Sequence, residues 1–263
     1  MPRYVAHRGG AARWPENSLT AFRGALAGGA VLLELDVHLT ADDEIAVIHD
    51  PTLDRTTSGT GPVGRCTVDD LRRARLRGPD GAFTEDHVPT LREVLAVTAP
   101  AGVGLLVEIK TPGAAVSYER RGDEVERVAG ARYEGLERKV LDAIAAAGCA
   151  ERCILMAFNP AVVAEVRRLA PAQPTTLLVD RHLIETGVPP AQSVEWARAA
   201  GVSYLGLHHS LCDDSLVAAA HAAGIAVGVF TVNDEATRDR LVAAGVDVII
   251  TDRPELIPGP AAA

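Results

Sequence analysis

Ala222-Ala223-Gly224-Ile225-Ala226-Val227-Gly228-Val229-Phe230-Thr231 joins the end of a helix to a strand, and that join decides the fold. Alanine is the strongest helix former, glycine takes the left-handed position that stops a helix, and the apolar run beyond it favours extended chain. The same punctuation recurs at Ala146-Ala147-Gly148, Ala199-Ala200-Gly201 and Ala243-Ala244-Gly245, each ahead of a β-rich run. Strands are predicted at 154–158, 176–179, 202–207, 226–231 and 246–251. Toward the N-terminus, 3–7, 31–37 and 103–109 add three more, and 44–49 pairs back onto 31–37 as a hairpin. A helix begins at Asn17-Ser18, a second is expected at 91–98, and the polar residues 51–88 hold a short one near 68–74. Eight apolar strands alternating with helices predict an α/β protein, a closed (β/α)₈ TIM barrel forming one domain over 1–263. A doubly wound open sheet is the alternative, but Gly9-Gly10-Ala11-Ala12 lacks the Gly-x-Gly-x-x-Gly turn that such sheets use for dinucleotides.

Composition narrows the function. The 263 residues are 48% apolar, and their glycines and prolines are spread evenly, so no segment reads as a linker. A formal charge of −9 with no basic run excludes a general nucleic-acid binder, and an anionic ligand has to be attracted locally. No stretch resembles a secretory leader or a membrane span, so a cytoplasmic protein without stable membrane insertion is expected. The cysteines at 66, 149, 153 and 212 are too scattered for a disulfide framework or a zinc site and are expected to pack as buried thiols.

In a barrel of this kind the reactive groups gather at the carboxyl ends of the strands. Within Val31-Leu32-Leu33-Glu34-Leu35-Asp36, alternation turns Glu34 and Asp36 to one face and the leucines to the other. Taken singly, such a pair is ordinarily a solvated strand end. Here, however, the first strand ends in His7-Arg8-Gly9, the hairpin in His49-Asp50, and the third main strand in Glu108-Ile109-Lys110. Glu34, Asp36 and Glu108 form an all-oxygen set suited to a divalent metal cation, Mg²⁺ or Ca²⁺. His7 and His49 suit an acid and base pair, and Arg8 and Lys110 suit an anion that also meets the metal. His38 continues the face of Glu34 and Asp36 but is expected beyond the pocket. His87, His182, His208, His209 and His221 stand in no supporting motif and are expected in structural or surface roles.

The ordered series His7-Arg8-Gly9, Pro15-Glu16-Asn17-Ser18, Glu34-Leu35-Asp36-Val37, His49-Asp50-Pro51-Thr52-Leu53-Asp54-Arg55-Thr56-Thr57, Pro89-Thr90-Leu91, Glu108-Ile109-Lys110, Thr231-Val232-Asn233 and Thr251-Asp252-Arg253-Pro254 resembles the glycerophosphodiester phosphodiesterases along nearly the whole chain. The resemblance implies a (β/α)₈ barrel that hydrolyses small-molecule glycerophosphodiesters to glycerol 3-phosphate and an alcohol. It also implies His7 and His49 as acid and base, Glu34, Asp36 and Glu108 as ligands of the cation, and Arg8 and Lys110 as phosphate contacts. Where the family often has Pro-Glu-Asn-Thr, this chain has Ser18, which keeps the hydroxyl. Phe230 stands where a tryptophan is common, keeping an aromatic wall for the substrate without the indole N–H.

Residues 111–135 read as a long polar loop, either a mobile surface segment or a lid. Two other functions compete. A lipid phosphodiesterase of the sphingomyelinase D or phospholipase C kind needs apolar interfacial loops, yet aromatics are only 4% of the chain and Trp14 is the one obvious candidate. A catalytically inactive barrel that only binds phosphodiesters has no need of both His7 and His49.

Overall fold

Eight parallel strands close on one another in the computed structural model, which describes residues 1–121 and 124–257. In chain order the elements are β1 (Arg3–Ala6), α1 (Leu19–Ala27), β2 (Leu32–Leu39), β3 (Ile45–Val47), α2 (Val68–Arg73), β4 (Arg75–Arg77), β5 (Phe83–His87), α3 (Leu91–Thr98) and β6 (Gly104–Ile109). There follow β7 (Val116–Arg121), β8 (Glu124–Ala129), α4 (Leu136–Ala146), β9 (Cys153–Ala157), α5 (Pro160–Leu169), β10 (Thr175–Val179) and α6 (Gln192–Ala200). The chain ends with β11 (Tyr204–His208), α7 (Asp214–Ala222), β12 (Ala226–Phe230), α8 (Glu235–Ala244) and β13 (Val248–Thr251). The barrel runs β1-β2-β6-β9-β10-β11-β12-β13 and closes where β1 pairs with β13 on one side and β2 on the other. Each predicted barrel strand lies within two residues of an observed one. The punctuating glycines behave as read: Gly148, Gly201, Gly224 and Gly245 have φ of 65°, 64°, 73° and 86°, the left-handed region a side chain would strain.

Strand alternation divides the core in two. Leu33, Leu35, Leu105, Val107, Leu177, Val179, Leu205 and Val227 face outward into the layer beneath the helices. Val5, Leu106, Ile154, Met156, Leu178, Val248 and Ile250 fill the interior. Glu34 and Asp36 alternate with the outward leucines and so point into the barrel, while the β2–β6 register sets Asp36 directly beside Glu108. The four thiols are free, with Cys149, Cys153 and Cys212 buried and the first two 3.8 Å apart, in keeping with a packing role.

Two connections hold more structure than their composition suggests. Between β3 and α3, the polar stretch 51–88 carries α2 and the β4–β5 hairpin and has its own apolar cluster of Ile48, Leu53, Val63, Leu71, Leu76 and Val88. Residues 111–135 are not an irregular loop but carry the antiparallel hairpin β7–β8, of which 122–123 lie outside the described residues. Tyr118 and Val125 pack against the main core. Arg127 lies 5.6 Å over the Trp196 ring and donates to the carbonyl oxygens of Phe158 (2.5 Å) and Leu178 (2.7 Å) at the ends of β9 and β10. Burial pulls that guanidinium down to about 10. The hairpin thus borders the barrel mouth, with Val116 lining the central cavity.

Candidate active site

The turn after β1 sets the site's geometry. Arg8 (φ 51°) and Gly9 (φ 79°) are both left-handed, and a Cβ on Gly9 would stand 2.7 Å from the Ala21 Cβ of α1. The tight turn aims the Arg8 backbone N–H at Glu34 Oε2 (3.0 Å) and brings the Arg8 Nε within 3.4 Å of Asp36 Oδ2. Asn17, also left-handed and buried, donates its amide to Asp36 Oδ2 at 2.8 Å, and Ser18 caps α1 by accepting from the Ala21 N–H.

Glu34, Asp36 and Glu108 are all buried and offer oxygens within 4.8 Å of one another. Lys110 Nζ lies 2.7 Å from Glu108 Oε1 and 3.2 Å from Asp36 Oδ1. Burial, reinforced by Asp36, pushes the Glu34 carboxyl well above its ordinary value. Burial acts the same way on Asp36, but Lys110 and Arg8 overcome it and hold that carboxyl well below. Asp36 Oδ1 is nevertheless buried with no hydrogen bond among the described residues. A buried carboxylate oxygen that has the Lys110 ammonium 3.2 Å away but accepts no hydrogen bond, beside two other acids, fits a hard cation.

Both imidazoles line the same cavity, and each is tied to a carboxylate. His7 Nδ1 lies 2.6 Å from Asp252 Oδ1 and its Nε2 lies 3.8 Å from Glu34 Oε2, while His49 Nδ1 lies 2.6 Å from Asp50 Oδ1. With Nδ1 committed to a carboxylate, proton exchange falls to Nε2. Asp252 is held in turn by the Asn233 amide at 2.7 Å, and burial, which would raise its carboxyl, is outweighed by His7. The His49 hydrogen bond, aided by Arg55, holds Asp50 far below the carboxylate range.

Arg55 donates to Asp50 from Nε (2.6 Å) and Nη2 (3.0 Å), and to Glu16 from Nη1 and Nη2 (both 2.9 Å). Glu16 also accepts from Arg8 at 2.8 Å, so one guanidinium links the His49 dyad to the Arg8 turn. Sequence reading placed Glu16, Arg55, Asn233 and Asp252 in motifs but assigned them no part.

His38 is not among the residues that line the cavity holding His7 and His49; it supports His49 from behind, a structural part. Its Nε2 lies 3.0 Å from the His49 carbonyl oxygen, which can only accept, so Nε2 carries a proton, and its Nδ1 lies 3.0 Å from the Tyr133 hydroxyl. Burial holds it at about 4. Between that value and the ordinary 6.5 the unfolded chain takes up a proton that the folded one refuses, so this stability is present above pH 6.5 and is lost as pH falls toward 4. The full effect is about 3 kcal/mol. Urea unfolding at pH 7 and pH 5 should therefore show His38→Gln less stable than wild type at pH 7 and distinctly less sensitive to the fall in pH. Equal losses in both proteins would rule the argument out.

The cavity these groups share has a volume of about 500 Å³. Its far side holds Phe158 and Phe230, packed edge to face with centroids 5.8 Å apart, together with Asp180. His182 and His208, for which the sequence offered no supporting motif, also line it. His209 stacks on His208 at 4.4 Å, and His221 pairs with Asp247 at 2.8 Å away from the site. Two larger grooves on the outside of the barrel, of about 700 and 980 Å³, contain no imidazole.

Buried cations beside acids, facing imidazoles that can give and take protons, suit cleavage of a charged ester whose leaving group must be protonated, the class of barrel phosphodiesterases. Residues 7–256 match the model of the glycerophosphoryl diester phosphodiesterase family, and the chain belongs to that family. It is 32% identical over 256 residues to a glycerophosphodiester phosphodiesterase of Caldanaerobacter subterraneus, covering 96% of this chain and 95% of that one. A Bacillus altitudinis protein of the same name is 31% identical, with 97% and 96% covered. Among solved structures, a glycerophosphodiester phosphodiesterase of Agrobacterium tumefaciens superposes with a TM-score of 0.76 at 26% identity, covering 98% and 99%. An Oleispira antarctica phosphodiesterase in complex with the product sn-glycerol-3-phosphate superposes with a TM-score of 0.78 at 25% identity, covering 98% and 95%.

Proposed function

We propose that this protein hydrolyses glycerophosphodiesters to glycerol 3-phosphate and an alcohol, with His7 and His49 as acid and base. The observation that carries the reading is the pair of carboxylate-tied imidazoles in one cavity with Glu34 and Glu108, two members of the buried cluster of three acids. Breaking the bond from phosphorus to the alcohol oxygen requires a proton for that oxygen and removal of one from the attacking hydroxyl, a task for two groups on one cavity. Glu34, Asp36 and Glu108 hold a divalent cation, Mg²⁺ or Ca²⁺, which when bound supplies positive charge against the phosphoryl oxygens. Arg8 and Lys110 hold the same oxygens from the protein side, and Phe230 walls the substrate.

Charge counting supports this assignment. Glu34, Asp36 and Glu108 are faced by only two cations at short range, Arg8 and Lys110, so a divalent cation among them lowers the repulsion that an incoming phosphodiester monoanion meets.

A soluble substrate is favoured over a lipid. Trp14 is no interfacial probe, because its ring packs so closely on α1 that a Cβ on Gly24 would stand 2.5 Å from it. Among the described residues no helix is long and apolar enough to cross a membrane. The test is a panel of glycerophosphodiesters assayed with each metal and with chelator, with the products identified. Release of glycerol 3-phosphate that chelator abolishes is expected; no release from any diester, or release indifferent to chelator, overturns the reading.

A further inference from the structure

The cavity is divided by charge. His7 and Arg8 follow β1, Glu34 lies on β2, and Glu108 and Lys110 stand at β6, so one half of the barrel mouth carries the acids and the phosphate-binding cations. β10 is four steps from β1 in either direction around the ring of eight, so Asp180, the residue after β10, stands across the mouth from His7 and Arg8. Among the described residues on that half, Asp180 is the one lining residue with a permanent charge; its neighbours there include Phe158, Leu178, Phe230, Thr231 and the imidazoles of His182 and His208.

We propose that this far half is a subsite for a cationic leaving alcohol, an amino or quaternary-ammonium alcohol, with Asp180 as its counter-charge and Phe158 and Phe230 as its walls. The inference rests on the phosphodiesterase reading above.

Three observations support it. Two phenyl rings at 88° form a corner, and the face of an aromatic ring attracts a cation. Asp180 is available: its Oδ1 accepts the His182 backbone N–H at 3.0 Å, and among the described residues its one ion-pair neighbour is the His182 ring, 3.8 Å away. The His208 imidazole does not cancel the carboxylate, since burial and the neighbouring His209 hold it below its ordinary value and so mostly neutral at pH 7. A neutral alcohol such as glycerol gains nothing from a carboxylate's charge, and an anionic one is repelled.

The test compares kcat/KM for glycerophosphocholine and glycerophosphoethanolamine with that for glycerophosphoglycerol, in wild type, Asp180→Asn and Asp180→Glu. Asparagine can still accept the His182 N–H and so keeps the turn. The ratio of cationic to neutral substrate should exceed one in wild type, fall by about tenfold in Asp180→Asn mainly through KM, and recover in part in Asp180→Glu. A ratio unchanged by Asp180→Asn overturns the subsite. So does an equal loss on all three diesters, which would place Asp180 against the shared glycerol. In both cases the phosphodiesterase reading survives, whereas failure of wild type to cleave any diester removes that reading and the subsite with it.

Discussion

Glu34→Gln should fold as wild type does and lose hydrolysis of every glycerophosphodiester by ~10³ or more, since several kcal/mol of charge stabilisation depend on the cation. Glu34 is the sharpest choice among the three acids. Lys110 lies beside both Asp36 and Glu108, so removing either of those also frees a buried ammonium, whereas among the described residues the hydrogen bond Glu34 accepts comes from the Arg8 backbone N–H, which glutamine can accept as well, and the His7 ring stands further off at 3.8 Å. The substitution removes one of three buried negative charges within 4.8 Å. Without added cation it should therefore raise the thermal midpoint, because repulsion is relieved. Wild type should gain stability when Mg²⁺ or Ca²⁺ is added, by mass action on the folded state, and the variant should gain much less. Parallel melts with chelator and with each cation make the comparison. Full wild-type activity in chelator, or an equal gain in both proteins, would sink the assignment.

What could be read from sequence followed from local periodicity. Ala-Ala-Gly before a β-rich run reports a helix end and a strand start within ten residues, and alternation alone puts Glu34 and Asp36 inside and Leu33 and Leu35 outside. Residues that act through another residue were not legible as such. Asp252 reaches His7 across 245 positions of chain, and Arg55 meets Glu16 across 39, distances over which no periodicity speaks. His38 shares its strand with the acids, but its part is decided by the Tyr133 hydroxyl and the His49 carbonyl, both from other segments. The β7–β8 hairpin was missed for a different reason. Its anchor is an arginine bonded to strand-end carbonyls, a contact that leaves no apolar pattern in the sequence. His182 and His208 were dismissed because a lone histidine carries no signal until the barrel closes and sets it on the cavity wall.

His7→Ala and His49→Ala should each lower kcat by roughly 10² to 10⁴ with less change in KM, and the double variant should lose little more than the worse single one, since both protons move in one concerted task. The structure makes the two residues near equivalents: each presents Nε2 to the cavity from a ring whose Nδ1 is 2.6 Å from a carboxylate. Matched dyads suit a reaction in which roles reverse. Glycerol joined through its terminal oxygen carries a neighbouring hydroxyl that can attack phosphorus within a five-membered ring, with the advantage of an intramolecular nucleophile. One histidine would take the proton of that hydroxyl as its oxygen bonds to phosphorus, while the other gives a proton to the alcohol oxygen whose bond breaks. Water would then open the cyclic phosphate, with the second histidine taking its proton and the first returning one to the hydroxyl. An analogue with hydrogen in place of the neighbouring hydroxyl should therefore bind with similar affinity and be cleaved far more slowly than the parent diester. Trapping of a cyclic glycerophosphate in a rapid quench would support the same route. If the analogue binds normally and is cleaved at the parent rate, water attacks phosphorus directly and one histidine suffices as base in a single step.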